Sequence, residues 1–286
     1  MNKLVFLLFL CLQSIAGSLC AQGNALLWKI SGKGLSKPSY LFGTIHQICT
    51  EDYFWTDTMQ KYFHRTEQLC LELDMDDPLM SVKIAQSSMS TDGKTLKDYL
   101  TPKEYARLAT YIKEETGQGI EVYNRLKPIW VVLSLSSGDV GCETTTAYET
   151  RLMDSAGKYK MNVTGLETVE EQMNALNDIP NDKIKPYILD IIDGRTEQNT
   201  SVFKQMVALY KAQDIEALYR LINAEDNATM SMDKLLDGRN RKWISRIAEM
   251  AREKSTFFAV GAGHLGGSSG VIALLRKDGF TVEPLK

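Results

Sequence analysis

Two stretches of this sequence repeat one short pattern. Ser39–Phe42 is apolar and β-prone, and it runs into Gly43-Thr-Ile-His46. Thr256–Val260 has the same character, and it runs into Gly261-Ala-Gly-His264. Each is a predicted strand followed by Gly-x-x-His. Glycine lets the backbone turn sharply and approach a ligand closely. Open α/β sheets gather ligands at the carboxyl ends of their strands. If the two strands are neighbours, both imidazoles point into one crevice. Two further strand ends carry acids. Leu69-Cys-Leu-Glu72-Leu-Asp74 puts Glu72 and Asp74 on one face by period-two alternation, and Val163-Thr-Gly-Leu-Glu167 ends in an acid after its own glycine. Two imidazoles with two or three carboxylates match the ligand chemistry of a divalent metal that keeps an open position for water.

A plainer reading stands beside this one. A histidine at a strand end can simply bond a backbone carbonyl. Glu167 can be an acid in the first turn of a helix over Glu167–Leu176, where the macrodipole favours it. The third histidine, His64, lies in a helical stretch over Tyr53–Glu67 beside Arg65 and Glu67, and reads as a solvated surface residue.

The elements that must position these groups are legible as short strands separated by long helical patterns. Strands are predicted over Leu26–Ile30, Ser39–Phe42, Leu69–Leu73, Asn162–Gly165, Thr256–Val260 and Phe280–Glu283. A helix opens at Thr101-Pro102, with Thr as N-cap and Pro in the first turn, and runs to about Glu115. Further helices are predicted over Lys127–Leu135, Thr145–Lys158, Glu167–Leu176, Asn181–Ile192, Val202–Lys211, Asp214–Ile222 and Asp237–Glu253. Strands at both ends with helices between predict one α/β domain over 22–286, with its sheet closed by the terminal segments. The stretch from about Thr91 to Lys160 is nearly all helical and reads as a cap over the sheet.

Composition narrows the function classes. Of 286 residues, 44% are hydrophobic and 24% charged, which is globular rather than disordered. A net charge of -3 gives no broad basic footprint, so nucleic acid is not an expected partner. Residues 1–21 have a lysine, an apolar run over Leu4–Leu12 and small residues after it, the layout of a secretory signal cleaved after Ala21. A lipoprotein anchor on Cys20 is the rival. The apolar run is about half the ~20 residues of a spanning helix, and no later stretch is long enough to cross a membrane. The expected location is periplasmic or secreted. Cys49, Cys70 and Cys142 remain after the signal and allow one disulfide with one buried thiol, or three buried small hydrophobes.

Two motif matches are decoys. Gly261-x-Gly-x-x-Gly266 fits a dinucleotide fingerprint, but no further βα units follow it. Gly266-Gly-Ser268-Ser-Gly270 fits a nucleophile elbow, but no histidine follows Ser268 in the chain.

Five segments occur in a telling order: Leu41-Phe-Gly-Thr-Ile-His46; Leu71-Glu-Leu-Asp74; Gly165-Leu-Glu-Thr168 with Glu171-Gln172; Arg239-Asn240 with Trp243; and Phe257-Phe-Ala-Val-Gly-Ala-Gly-His-Leu265 with Gly270-Val-Ile. Together they resemble the TraB/GumN (PrgY-like) family, which includes the Tiki metalloproteases. The resemblance covers nearly the whole chain after the signal. It implies a fold related to the erythromycin-esterase and ChaN-like group, with a mixed, largely parallel central sheet and helical insertions. It implies a divalent-metal hydrolase, peptidase-like in the Tiki branch, using manganese or cobalt; zinc also suits the ligand types. His46 and His264 become metal ligands, and Glu72 a third ligand or base. Glu167, Arg239 and Asn240 would line the site.

One departure matters: many members carry a Gly-x-Asp segment where this chain has Ala147-Tyr148-Glu149. The acid there has no assigned role. Arg239 and Asn240 also admit the reading of a solvated, charged helix start. The expected mechanism uses a metal-activated water, with Glu72 or Glu167 as base and Arg239 facing the developing oxyanion, on a peptide or small-molecule substrate. The alternatives are a non-catalytic protein binding haem or a signalling peptide in the same crevice, and a purely structural exported domain.

Overall fold

The strands are β1 (Leu27–Ser31), β2 (Ser39–Thr44), β3 (Ile48–Cys49), β4 (Gln68–Leu73), β5 (Thr145–Thr146), β6 (Asn162–Glu167), β7 (Thr256–Gly261) and β8 (Thr281–Leu285). The helices are α1 (Asp57–Phe63), α2 (Met80–Ser88), α3 (Leu96–Tyr99), α4 (Pro102–Thr116), α5 (Pro128–Ser136), α6 (Tyr148–Tyr159), α7 (Val169–Asn177), α8 (Asn181–Ile192), α9 (Thr196–Lys211), α10 (Ile215–Ile222), α11 (Gly238–Glu253) and α12 (Val271–Lys277). The computed structural model describes residues 24–136, 141–193, 196–224 and 233–286. The expected signal segment, 1–21, lies outside the described residues.

Six strands form one mixed sheet in the order β6-β4-β7-β2-β1-β8. The four strands from β6 to β2 are parallel, and β1 runs antiparallel to both β2 and β8. All six residues of β2 and the first five of β7 are buried. Parallel strands covered by helices on both faces read as continuous apolar runs, which is what SYLFG and TFFAV are. The chain is thus an α/β protein with a mostly parallel central sheet.

Two hydrophobic clusters divide the helices. The sheet's own core is built from large side chains such as Trp28, Phe42, Tyr148, Tyr210, Trp243 and Phe257. A second cluster joins Leu96, Leu108, Ile112, Ile129, Ile184 and Ile188. The cap expected from Thr91 to Lys160 is therefore revised: α3, α4 and α5 recruit α8 to it. By contrast α6 packs on the sheet, because Tyr148, Leu152 and Ala156 present an apolar stripe at helical spacing to the main core. The start of α4 follows the sequence reading: Thr101 accepts from Glu104 N–H, Glu104 reaches back to Thr101 N–H, and Gly117 ends the helix at φ 70°.

Three boundaries differ from the sequence reading. The helix placed over Tyr53–Glu67 contracts to α1. Residues 145–146 are not helical; they pair with β3, as Ile48↔Thr146 and Cys49↔Thr145. Glu167 is not in a helical first turn: β6 continues to it, and Thr168 then caps α7 with a Glu171 capping box. Cys49 and Cys142 form a disulfide with a Cα–Cα distance of 5.9 Å, and Cys70 is a buried free thiol. Among the described residues no helix is long and apolar enough to cross a membrane.

Candidate functional site

The strand order brings the two Gly-x-x-His segments side by side. β2 and β7 pair in parallel from Tyr40↔Phe257 to Thr44↔Gly261, so both turns leave the same edge of the sheet. β4 lies on the other side of β7 and β6 beyond it, which adds Glu72 and Glu167 to the same edge. Four adjacent strand ends thus deliver Glu167, Glu72, His264 and His46 in that order. Gly43 must be glycine here: a Cβ would lie 2.7 Å from Leu265 Cδ1 and 3.1 Å from the Ala262 Cβ. Gly261 marks the point of convergence. A Cβ on it would meet Glu72 Oε1 at 3.3 Å, His46 Nε2 at 3.4 Å and His264 Cδ2 at 3.6 Å.

Each imidazole is oriented from behind. His264 Nδ1 lies 2.6 Å from Asn240 Oδ1, while Asn240 Nδ2 donates to the carbonyls of His264 and Ser269 at 3.3 and 2.9 Å. The amide carbonyl can only accept, so Nδ1 carries the proton and Nε2 keeps its lone pair. Burial depresses the His264 pKa to about 3. His46 Nδ1 lies 2.9 Å from Glu149 Oε1, which also accepts from Thr44 Oγ1 at 2.6 Å. Hydrogen bonding to Glu149 raises the His46 pKa to about 9. The His46 side chain is 69% exposed, so this flank of the site is open to solvent.

A buried ionic cluster closes the opposite flank. Arg239 Nη2 donates to Glu72 Oε2 at 2.6 Å, and Arg239 Nε donates to both Glu167 oxygens at 2.9 and 3.2 Å. Trp243 Nε1 donates to Glu167 Oε2 at 3.2 Å, and Gln172 Nε2 reaches Glu167 Oε1 at 3.0 Å and Glu72 Oε2 at 3.2 Å. Arg239 also stacks over the Trp243 ring, 4.8 Å from its centroid. Glu72 Oε1 accepts from Gly261 N–H at 2.8 Å. Burial opposes the Glu72 charge, but His264, Arg239 and His46 around it and the Gly261 N–H hold its pKa down at about 2.

Two imidazoles with their Nδ1 atoms fixed by oxygen partners, beside an ionised carboxylate, are a donor set suited to a divalent ion. The fit has a boundary. Arg239 Nη1 sits 3.2 Å from His264 Nε2, and Glu72 Oε1 is 3.7 Å from that nitrogen. Among the described residues, the grouping whose ligand atoms all lie within 4.8 Å of one another is Cys49, Glu51 and Cys142. Its two sulfurs are bonded to each other, so it is a disulfide with an acid nearby rather than a competing metal centre.

The residues singled out from sequence are thus brought together, with changed emphasis. Arg239 is not on a solvated face; it is the cation of the buried cluster. Asn240, expected to line the site, stands behind His264 with its amide fully committed, because its place on α11 faces the core. Glu167 has both oxygens held by donors on α7 and α11. His64 is exposed, stacked on Tyr159 and paired with Gln60. Glu149 is the residue the sequence reading left without a role. Its signal was positional: it occupies the place of the acid in the Gly-x-Asp segment.

The pattern of the TraB/PrgY/gumN family matches residues 26–284. The Metalloprotease TIKI2 of Xenopus tropicalis is 24% identical, over 91% of this chain and 60% of the relative. The human Metalloprotease TIKI1 is 25% identical, over 91% of this chain and 62% of the relative. The Metalloprotease TIKI homolog of the sponge Amphimedon queenslandica is 25% identical, over 99% of this chain and 66% of the relative. The chain therefore spans roughly three-fifths of the length of the first of these relatives. No solved structure matches it. With the paired Gly-x-x-His turns on adjacent strands and the match running almost end to end, this chain belongs to the TraB/PrgY/gumN family.

Proposed function

We propose that this protein is an exported, divalent-metal-dependent hydrolase of peptidase type, with His46, Glu72 and His264 as its metal ligands. The observation that carries this reading is the convergence of those three groups on the space beside Gly261. The relatives named metalloproteases support the reaction class. A divalent ion bound there would polarise a carbonyl and bring the pKa of a water toward ~7.

The chain's own residues have distinct parts in this reading. Asn240 and Glu149 hold the two rings so that Nε2 of each faces the site. Glu72, with Oε2 held by Arg239 and Gln172, would serve as a carboxylate ligand rather than as a base. Arg239 supplies fixed positive charge at the inner wall, where a developing oxyanion would gain from it. Glu167 serves as the counter-ion that keeps Arg239 in place. His46 lines the open flank, so a peptide or small-molecule substrate enters past it.

The test is to titrate chelator-stripped protein with Mn2+, Co2+ and Zn2+ by calorimetry and to assay a peptide and ester library with and without chelator. His46→Ala and His264→Ala should each lose tight binding and chelator-sensitive turnover. Gly261→Ala places a methyl against Glu72 Oε1, His46 Nε2 and the His264 ring carbon Cδ2, and should weaken binding by ~10-fold or more while leaving the melting temperature close to wild type. Full metal content in both histidine variants would overturn the reading. A Soret band on haem titration without hydrolysis would favour the binding-protein alternative.

A further inference from the structure

The His46–Glu149 contact joins two segments far apart in sequence. We propose that Glu149 is the positioning residue for His46, and that the Cys49–Cys142 bond is the clamp that keeps the two together, so that reducing it weakens metal retention while the fold persists. This rests on the metal-site reading above. Three observations on the same few residues support it. First, the Glu149 carboxylate, 14% exposed, accepts from His46 and Thr44 through one oxygen, and so fixes the turn that carries the imidazole at two points. Second, Cys49 lies three residues after His46 and Cys142 seven before Glu149, so the disulfide ties together the very segments that meet at this contact. Third, the ladder that pairs the two segments beside the disulfide is short; beyond it, α6 is held to the body through Tyr148, whose hydroxyl bonds the Phe54 N–H and carbonyl. β3 and β5 pair over two residues each, extended only by Thr50 N–H and Oγ1 donating to Thr144 O at 3.0 and 3.2 Å. Neither residue of β5 is buried. A two-stranded ladder this short is marginal alone. The sheet-borne half of the site has no such dependence, since His264 and Asn240 sit on β7 and α11 in the main core.

The chemistry balances with a dithiol as reductant. Two electrons and two protons pass from the dithiol to the protein, the Cys49 Sγ–Cys142 Sγ bond breaks, two thiols form, and the dithiol becomes its own disulfide. Cys142 is partly exposed, so a small dithiol can reach it.

The experiment uses the full chain and Co2+ as the probe. Oxidised, chelator-stripped wild type should bind Co2+; reduction, followed by alkylation of the freed thiols and removal of the dithiol, should weaken binding by ~10-fold or more, the scale of losing a partner behind a metal-bound histidine. The Cys49→Ser/Cys142→Ser variant should match reduced wild type and ignore the dithiol. Glu149→Leu should weaken binding by ~10- to 100-fold, and Glu149→Gln, which keeps an oxygen for the His46 N–H, should recover most of the loss. Circular dichroism should show every variant folded. A second readout needs no metal: 15N NMR of the imidazoles should show the His46 Nδ1–H bond lost in Glu149→Leu and loosened on reduction, with His264 unchanged. Equal Co2+ affinity in oxidised and reduced wild type, with an unmoved His46 signal, would overturn the clamp. Wild-type behaviour of Glu149→Leu in both readouts would overturn the positioning role. If wild type binds no Co2+, the metal reading fails, and the NMR arm still decides whether Glu149 and the disulfide hold His46.

Discussion

The two Gly-x-x-His turns share one local pattern and sit in opposite surroundings. His264 is 5% exposed, backed by a neutral amide, and held uncharged by burial. His46 is 69% exposed and backed by a carboxylate, which raises its pKa to about 9. The inner half of the site is part of the hydrophobic core, braced by Arg239, Trp243 and two carboxylates. The outer half is joined by the Glu149 contact to α6, a two-rung ladder and a disulfide. The contrast shows how one motif yields a buried ring and an open one, depending on what lies behind it.

The sharpest way to break the contrast is from the inside. Arg239→Met leaves Glu72 and Glu167 as buried charges without their counter-ion. It should cost ~3–5 kcal/mol of stability by urea denaturation. A loss under 1 kcal/mol would mean that the inner cluster is not the brace described here. Next comes the pairwise comparison. His264→Ala strands the Asn240 carbonyl in the core and should cost ~1–3 kcal/mol. His46→Ala leaves the Glu149 carboxylate with Thr44 as its remaining side-chain partner and should cost less than His264→Ala, about 1 kcal/mol. Equal losses would erase the distinction.

The smallest effect lies at the rim, where Arg246 bonds Glu171 at 2.6 Å and also reaches the Leu166 carbonyl. The Arg246 hydrogen bond lowers the Glu171 pKa from 4.5 to about 2. A depressed carboxylate stabilises the fold above its unfolded value, so this contribution is present above pH 4.5 and fades as pH falls through about 2. Arg246→Met should flatten that part of the acid limb in a pH series of denaturation curves. The effect should stay below ~1 kcal/mol, because the two side chains are 39% and 32% open to water.

Much of this was legible before any coordinates. Continuous apolar runs marked β2, β4 and β7, because strands buried on both faces leave no polar alternation to confuse the reading. The order of the strands was not legible. The parallel pairing of Tyr40 with Phe257 depends on non-local packing that no window of sequence contains. The boundary at Glu167 was misread because the residue fits both a strand end and a helix start. What decided it was Thr168, whose hydroxyl caps α7 one residue later. Glu149 was passed over for a different reason. It sits in the first turn of α6, where an acid needs no further explanation, and only the return of Thr44 and His46 gives it a partner. Asn240 is assigned to the site by resemblance alone, since the run of charges around it equally allows a wet surface; its own side of α11 is dry.

The position of β7 in the sheet has a consequence for how the protein comes into being. It is next to last of the strands in chain order, yet it lies between β4 and β2, touching both. A growing polypeptide can pair β1 with β2, and β4 with β6, but these stay two separate ribbons with a slot between them. Only when β7 slides into that slot do the side chains of one ribbon meet those of the other. Until Thr256–Gly261 has been made and inserted, the groups that gather beside Gly261 stay apart, and a chain cut anywhere before Thr256 never brings them together.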